Sequence, residues 1–216
     1  LFIPKGQMTG KEEEVLSGFL HKQGYVMVEK RLNRVLDFAM EFEMDRLFHL
    51  NFLGYSVFQT SRRGEYEGNR VASRARLEGM ISRYTGMGLL HEIREQLEKV
   101  LTSVFHGKYV GCLGVDMMIY EDESGGFGVQ PCVEINLRYN MGIVSIALQR
   151  FLQEEVEGVF TIRFSPKPGE IMQSVEENRD AYPLQVKTGR ITAGYINLTP
   201  VSRESRFVAE LYVGDK

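Results

Sequence analysis

Polar side chains occupy every second position of one short segment, residues 132–138, which reads Cys-Val-Glu-Ile-Asn-Leu-Arg. Because side chains alternate between the two faces of a strand, this spacing puts Glu134, Asn136 and Arg138 on one face together with Cys132. The three apolar side chains then lie on the other face. Carboxylate and amide oxygens can bind a cation, and a guanidinium group can bind an anion. The segment therefore predicts a strand with one core face and one chemically active face.

A second carboxylate, Asp116, lies in the largely apolar segment 111–120, and turn-forming residues follow at Ser124-Gly125-Gly126. A turn centred on Gly125 would pair Asp116 with Glu134, with Cβ atoms ~5 Å apart. Like charges at that separation are destabilising unless positive charge lies between them. Two carboxylates and an amide oxygen suit Mg²⁺ or Mn²⁺ better than Zn²⁺. The open alternative is a solvated sheet face on which Lys or Arg side chains pair with both carboxylates.

The last motif of the ATP-grasp superfamily resembles two segments of this chain: Gly-Val-Asp at residues 114–116 and, after a hairpin, Glu-Ile-Asn-x-Arg at residues 134–138. Residues 25–32, Tyr-Val-Met-Val-Glu-Lys-Arg-Leu, resemble the strand end and hinge that hold adenine in that superfamily. Asp37 stands at about the position of an acidic residue that usually takes the ribose hydroxyls. The resemblance covers roughly residues 24–157. The alternative for the hinge is an ordinary hairpin connection over residues 30–35.

This resemblance implies specific roles for the polar residues. It implies that Asp116, Glu134 and Asn136 hold one or two Mg²⁺ ions on the phosphates of ATP. It implies that Arg138 is a catalytic residue that contacts phosphate or an acyl phosphate. The implied nucleotide-binding residues are Glu29, Lys30, Arg31 and Leu32 at the adenine hinge and Asp37 at the ribose.

The implied reaction is that of an ATP-dependent carboxylate ligase. ATP phosphorylates a small-molecule or peptide carboxylate, and an amine or similar nucleophile then attacks the acyl phosphate. Phosphoryl transfer depends on divalent and cationic charge at the phosphate oxygens more than on a protein nucleophile, which agrees with the residue types present. The alternative is a non-catalytic ATP-grasp-like module for nucleotide binding or protein interaction.

One part of the ATP-grasp pattern is not found in this sequence. Enzymes of the superfamily take a phosphate-binding lysine, a mobile glycine-rich loop and an acceptor site from preceding subdomains, whereas residues 5–10 do not show the glycine-serine-rich pattern. We therefore expect residues 1–23 to be a helical lead-in from a preceding subdomain. We also expect the 216-residue chain alone to form half of a nucleotide site and to be inactive.

Hydrophobic spacing predicts the elements that position these residues. Residues 36–44 alternate between apolar and mostly acidic side chains, which predicts a half-buried strand. Further strands are predicted at 48–60, 109–120 and 129–138, and helices at 10–22, 90–104 and 141–156. We expect an α+β fold in which helices pack on an antiparallel β-sheet, similar to the C-terminal ATP-grasp subdomain over residues 24–157. A β-rich accessory tail is expected over residues 158–216.

The polar stretch 61–70 between a predicted strand and helix predicts a loop. Its three arginines are Arg62, Arg63 and Arg70. They either serve as a lid that binds an anion or face solvent in a loop of mixed charge.

Composition excludes several classes of protein. The chain has 26 Lys and Arg against 29 Asp and Glu, a net charge of −3 at pH 7, without the basic excess typical of nucleic-acid-binding proteins. No apolar run approaches the ~18 residues needed to cross a bilayer, and no signal-peptide pattern is visible. Two cysteines are too few for a secreted disulfide framework. We expect a soluble, cytoplasmic protein whose partners are ATP and a carboxylate, with no nucleic acid and no membrane.

Overall fold

The computed structural model describes residues 8–61 and 64–214. The chain divides into two compact units, Leu1–Leu32 and Asn33–Lys216. In the first unit, helix α1 spans Gly10–Gln23 and begins with a capping box, in which the Thr9 backbone N–H donates to the Glu12 carboxylate at 2.6 Å. Gly24 ends the helix in a left-handed conformation, φ 79°. The predicted helix at 10–22 is thereby confirmed.

The second unit has four helices and nine strands in its described residues. The helices are α2, Arg74–Ser82; α3, Met87–Phe105; α4, Met141–Gln149; and α5, Glu170–Ala181. The strands are β1, Asn33–Met44; β2, Leu50–Thr60; β3, Tyr66–Val71; β4, Gly111–Glu121; β5, Phe127–Asn136; β6, Gly158–Phe164; β7, Gln185–Lys187; β8, Arg190–Asn197; and β9, Phe207–Val213.

These strands form one sheet in the order β5-β4-β1-β2-β3-β6-β9-β8-β7. Every neighbouring pair is antiparallel. β1 lies between β2 and β4, and β5 is an edge strand. β6 pairs with β3, so the strands after residue 158 continue the sheet formed by the preceding residues. The functional division into a core and an accessory tail stays a prediction.

The two faces of the first half of the sheet pack against different helices. Phe38 and Met40 of β1 belong to the main hydrophobic core, together with Leu77 of α2 and Leu90 of α3. Fully burying a side chain of this size contributes about 1.5–3 kcal/mol, so the contacts of this face with α2 and α3 stabilise the fold. α4 contacts β1 to β4. A Cβ built on Gly54 would lie 3.5 Å from the Ile146 side chain of that helix.

The α+β class with an antiparallel sheet and packed helices is confirmed. The loop predicted over residues 61–70 is partly wrong, because Tyr66–Val71 is a strand that pairs with both β2 and β6. Its polar sequence does not reveal this, since its hydrogen bonds to two neighbours come from the backbone. α2 and α5 were not predicted, and α4 ends seven residues before the predicted helix end at 156.

Within residues 8–61 and 64–214, we find no helix long and apolar enough to cross a membrane.

Candidate functional site

Asp116 of β4 lies directly opposite Glu134 of β5, as the spacing predicted. Gly114 lies opposite Asn136 in the same register. Directly paired residues share a face of the sheet, and so do residues two apart on one strand. Asp116, Glu134 and Asn136 therefore lie on one face, at the edge of the sheet where β5 is the last strand.

The predicted centre of the turn is wrong, although the predicted pairing is right. Near the turn, Glu121 pairs with Phe127, so the hairpin is centred on Ser124 and not on Gly125. The register shifts between Asp116 and Met118, because residues 131–133 stand opposite a single residue of β4. Pro131 lies in this bulge and has no backbone N–H to donate to β4. The bulge moves Glu134 into line with Asp116.

Asn136 connects Asp116 to Arg138 through its side-chain amide. Its Nδ2 donates to Asp116 Oδ2 at 3.1 Å, and its Oδ1 accepts from Arg138 Nη2 at 3.1 Å. Asn136 is buried and Asp116 is partly buried, whereas Glu134 and Arg138 are exposed. Hydrogen bonds thus link Asp116, Asn136 and Arg138, and Glu134 lies on the same face opposite Asp116. Solvent reaches this group at Glu134 and Arg138.

The pKa of Asp116 is raised from its ordinary value of 3.8 to about 6, mainly by burial. Repulsion from Glu134 contributes to this increase, and Asp37 adds a weaker repulsion. The hydrogen bond from Asn136 and the charge of Arg138 lower it without cancelling the increase. The negative charge of Asp116 is thus incompletely compensated by the surrounding protein, and a bound cation would stabilise it.

The donor atoms fit a hard divalent cation in chemical type. Mg²⁺ is usually held by one or two carboxylates together with phosphate oxygens and water, and not by a complete protein cage. Among the residues that the structure describes, no three His, Cys, Asp or Glu side chains form a group that could hold a metal ion. The predicted set has two carboxylates and one amide, which is fewer ligands than a complete protein cage would supply. Its role in metal binding stays a prediction.

Asp37 lies on the same face as Asp116, because Ala39 pairs with Asp116 and Asp37 is two residues away on β1. Its Oδ2 accepts a hydrogen bond from Thr60 Oγ1 at 2.6 Å and forms an ion pair with Arg34 Nη1 at 3.1 Å. Arg34 also donates to the backbone carbonyl of Ser61 at 3.0 Å. Thr60 and Arg34 thus hold one carboxylate oxygen of Asp37, and the predicted contact of this residue with ribose stays a prediction.

The predicted adenine hinge lies in the first compact unit. Residues 25–32 form neither helix nor strand, so the strand end that the resemblance implies before the hinge is not observed. Met27 and Val28 are 79% and 80% exposed and do not pack in a core. Glu29, Lys30 and Arg31 are exposed and Leu32 is partly buried, and their roles at adenine stay predictions.

The apolar face expected on residues 132–138 is not a core face. Val133, Ile135 and Leu137 are 58%, 41% and 42% exposed. The reason is their place in the sheet, since β5 is the edge strand, Val133 lies in the bulge and the other two residues follow it. Of the loop arginines, Arg62 and Arg63 lie outside the described residues, and Arg70 belongs to β3.

Sequence reasoning missed one group beside the site. Glu41 of β1 is buried, with 1% of its surface exposed, and accepts hydrogen bonds from Ser56 Oγ and Asn140 Nδ2, each at 2.9 Å. The strict alternation of residues 36–44 indicated a solvated acidic face, whereas α4 and its N-cap cover this part of β1. The only available sequence signals were Gly114 and Gly142, whose lack of side chains leaves room for the carboxyl group.

No protein-family model matches this sequence, and no curated protein matches it by sequence. Solved structures do match its fold. Rhizobium etli pyruvate carboxylase T882A, with its allosteric activator acetyl coenzyme A, aligns over 99% of this chain and 20% of its own, at 12% identity and a TM-score of 0.55. The biotin carboxylase domain of Hydrogenobacter thermophilus 2-oxoglutarate carboxylase aligns over 93% of this chain and 46% of its own, at 11% identity and a TM-score of 0.50.

The fold is ATP-grasp-like. At 11–12% identity the two matches show the fold and nothing about activity. The Hydrogenobacter domain is a complex with MgADP, ADP and bicarbonate. Staphylococcus aureus N5-carboxyaminoimidazole synthetase with ADP aligns less well, at 14% identity and a TM-score of 0.45 over 87% of this chain and 48% of its own. The chain thus spans about half of that synthetase and of the Hydrogenobacter domain.

Proposed function

We propose that this chain is the nucleotide- and Mg²⁺-binding part of an ATP-grasp ligase that activates a carboxylate as an acyl phosphate. An amine or similar nucleophile would then attack that acyl phosphate. The observation that carries the proposal is the direct opposition of Asp116 and Glu134 on an ATP-grasp-like sheet. Asn136 and Arg138 extend the same group through two 3.1 Å hydrogen bonds.

The carboxylates and the amide have distinct roles in this proposal. Asp116 and Glu134 would each contribute an oxygen to a divalent cation, and Asn136 would contribute its amide oxygen. When bound, Mg²⁺ neutralises charge on the transferring phosphoryl group. Mn²⁺ has the same preference for oxygen ligands and could replace it. Arg138 would bind phosphate oxygens, for which the planar guanidinium group is well suited.

The observed orientation of Asn136 requires one rearrangement on binding. Its amide nitrogen now faces Asp116, and its amide oxygen accepts from Arg138. The amide must turn to offer oxygen to a cation, and Arg138 must then release that oxygen. Both changes leave Arg138 free to bind a phosphate, so metal and phosphate binding would be linked through one side chain.

The nucleotide itself would also contact residues outside this group. We propose that the backbone of residues 29–32 binds the adenine edge. Asp37 would accept hydrogen bonds from ribose hydroxyls, for which its ion pair with Arg34 and its bond from Thr60 fix its orientation. These assignments rest on the resemblance to the superfamily and on the position of Asp37 beside the carboxylates.

The direct test is isothermal titration of the full chain with Mg·ATP. Asp116→Asn keeps the hydrogen bond from Asn136 but removes the charge, and should weaken binding about tenfold or more, since tenfold corresponds to 1.4 kcal/mol. Glu121→Gln changes an exposed carboxylate at the far end of the same strand and is the matched control. Equal affinities of wild type and Asp116→Asn would exclude the proposed cation site.

A second assay separates a ligase from a non-catalytic module. ADP release from Mg·ATP is measured for the full-length protein with pools of carboxylic acids and amines, because the 216-residue chain alone is expected to be inactive. Release that depends on both pools and is lost in Asp116→Asn supports a ligase. Tight Mg·ATP binding without release under any pool supports the non-catalytic alternative.

A further inference from the structure

Glu41 lies beside the candidate site and has no role in the proposed chemistry. Its carboxyl group is buried beneath the start of α4 and is held by Ser56 of β2 and Asn140. Burying an ionisable group without a cationic partner is costly, because water no longer solvates its charge. Among the described residues, its hydrogen-bond donors are the hydroxyl of Ser56 and the amide of Asn140, and neither carries a positive charge. A buried glutamate at this position therefore costs folding stability, which suggests that it has another role.

Two glycines leave the space that this carboxyl group occupies. A Cβ built on Gly114 would overlap Asn140 Nδ2 and lie 2.5 Å from Glu41 Oε2. A Cβ built on Gly142 would overlap Glu41 Oε1 and lie 2.5 Å from Ser56 Oγ. Real Cβ atoms do not approach other atoms so closely, because atomic overlap is strongly repulsive. β4 and α4 therefore both carry glycine where the Glu41–Asn140 pair needs room.

Asn140 links Glu41 to the candidate site. It is the N-cap of α4, and its Oδ1 accepts the Ile143 backbone N–H at 2.9 Å. The segment from Asn136 to Asn140 joins β5 to α4 and carries Arg138 at its midpoint. One end of this segment is held by the Asn136–Asp116 hydrogen bond and the other by the Asn140–Glu41 hydrogen bond.

The sheet register keeps these two anchors close together. Gly114 pairs with Glu41 on one side and with Asn136 on the other. Glu41, Asp116 and Asn136 therefore share one face across three adjacent strands. A shift of the Asn140 end would move Arg138, because only one residue separates Arg138 from each anchor.

We propose that Glu41 is a positioning residue, which holds Asn140 and thereby fixes the segment 136–140 that carries Asn136 and Arg138. This inference rests on the proposed function for the role of those two residues. The anchoring of the segment 136–140 by Glu41 does not depend on the proposed function. Glu41 is too deeply buried to contact a nucleotide, so it acts only through Asn140.

Asn140→Asp tests the anchor without removing the helix cap, since Asp caps helices as well as Asn does. It places a carboxylate where Glu41 now receives an N–H donor. The double variant Glu41→Gln/Asn140→Asp exchanges donor and acceptor, because the introduced glutamine amide can donate to the introduced aspartate and still accept from Ser56. It also restores the net charge. Asn51→Asp makes the same chemical change on an exposed residue of β2 and is the matched control.

The first readout is hydrogen exchange of the Arg138 and Ile143 amides, measured without nucleotide. Both are hydrogen-bonded, to the Asn136 carbonyl and the Asn140 side chain. We expect exchange about tenfold faster in Asn140→Asp, which corresponds to 1.4 kcal/mol, and near wild type in the double variant. Unchanged exchange in Asn140→Asp, or no recovery in the double variant, would overturn the anchor.

The second readout is the Mg·ATP affinity of the same proteins. Asn140→Asp should weaken binding several-fold, and the double variant should recover it, while Asn51→Asp stays at wild type. If wild type does not bind Mg·ATP, the proposed function fails, yet the exchange result still decides the anchor. Recovered exchange without recovered affinity would show that Glu41 stabilises the segment but does not position the site.

Asn140→Ser is a second test of the anchor in case Asn140→Asp does not fold. Serine keeps an oxygen for the Ile143 amide but is too short to reach Glu41. It should speed exchange at Arg138 more than at Ile143, because it breaks the anchor and keeps the cap. If folded Asn140→Ser changes the exchange rates of the two amides by the same factor relative to wild type, the result would count against the proposal.

Discussion

Among single residues, Asp116 combines a cost in folding stability with a proposed role in cation binding. Its pKa of about 6 in the folded protein lies above its ordinary value of 3.8. The folded state therefore retains the proton in this pH range more than the unfolded state does. The contribution of Asp116 to the free energy of unfolding is therefore fully present below pH 3.8 and is lost as the pH rises through about 6.

Asp116→Asn should remove this pH-dependent loss. At pH 7 and without ligand, we expect the variant to be more stable than wild type by about 1–2 kcal/mol, after allowance for solvent screening of a partly exposed group. Chemical denaturation at pH 4 and pH 7 measures the difference. A variant that is less stable than wild type at pH 7 would mean that Asp116 is already neutralised by a partner within the protein.

Glu41 should give a second pH dependence. Its pKa is raised from 4.5 to about 7, mainly by burial and less by repulsion from Asp116, and the hydrogen bonds from Asn140 and Ser56 only partly oppose the increase. Stability should therefore fall between pH 4.5 and about 7, by up to about 3 kcal/mol. Glu41→Gln resembles the protonated form and should remove this part of the pH profile. The titration of Glu41, followed by carboxyl ¹³C NMR, should have its midpoint near 7, and a midpoint near 4.5 would refute the assignment.

At the scale of elements, the glycine of α4 is expected to be indispensable. Alanine normally stabilises a helix interior relative to glycine by about 1 kcal/mol. Gly142→Ala should instead destabilise the protein by about 1–3 kcal/mol, because the new methyl group would overlap Glu41. Gly79→Ala in α2 is the matched control, since a Cβ there meets nothing within 4 Å, and it should be neutral or stabilising. Thermal unfolding of the two variants compares them directly, and equal midpoints would contradict the close packing.

The elements differ in how well the sequence predicts them. β1, β4, β5 and α3 follow from the hydrophobic period, because each carries apolar side chains at regular spacing. β3 carries too few apolar residues to be recognised, since it lies between two strands that satisfy its backbone. The Asp116–Glu134 pairing was predicted correctly from an incorrect turn, because a two-residue bulge at Pro131 compensated for a turn centred one residue earlier.

The buried pair shows why local patterns do not reveal every part of the site. Glu41 and Asn140 are 99 residues apart in the chain, and no spacing rule connects them. Alternation on β1 predicts the face on which Glu41 lies but not that α4 covers this face. The burial of Glu41 is a consequence of tertiary packing and becomes visible only when α4 is placed on the sheet.

At the scale of the whole molecule, the chain has an ATP-grasp-like fold and spans 46% of the Hydrogenobacter domain and 20% of the Rhizobium carboxylase. The fold presents one polar sheet face on which Asp37, Asp116 and Glu134 gather negative charge. A protein that binds the polyphosphate of ATP at such a face needs a cation to do so. The proposed function therefore requires Mg²⁺ and nucleotide to bind together.

A crystal structure of this chain with Mg²⁺ and ADP would show whether they do. We expect a Mg²⁺ ion about 2.1 Å from oxygens of Asp116 and Glu134, the spacing typical of its octahedral coordination. The Asn136 amide should have turned its oxygen toward the ion, and Arg138 should contact phosphate. Nucleotide and metal bound without contact to Asp116 or Glu134 would refute the proposed cation site.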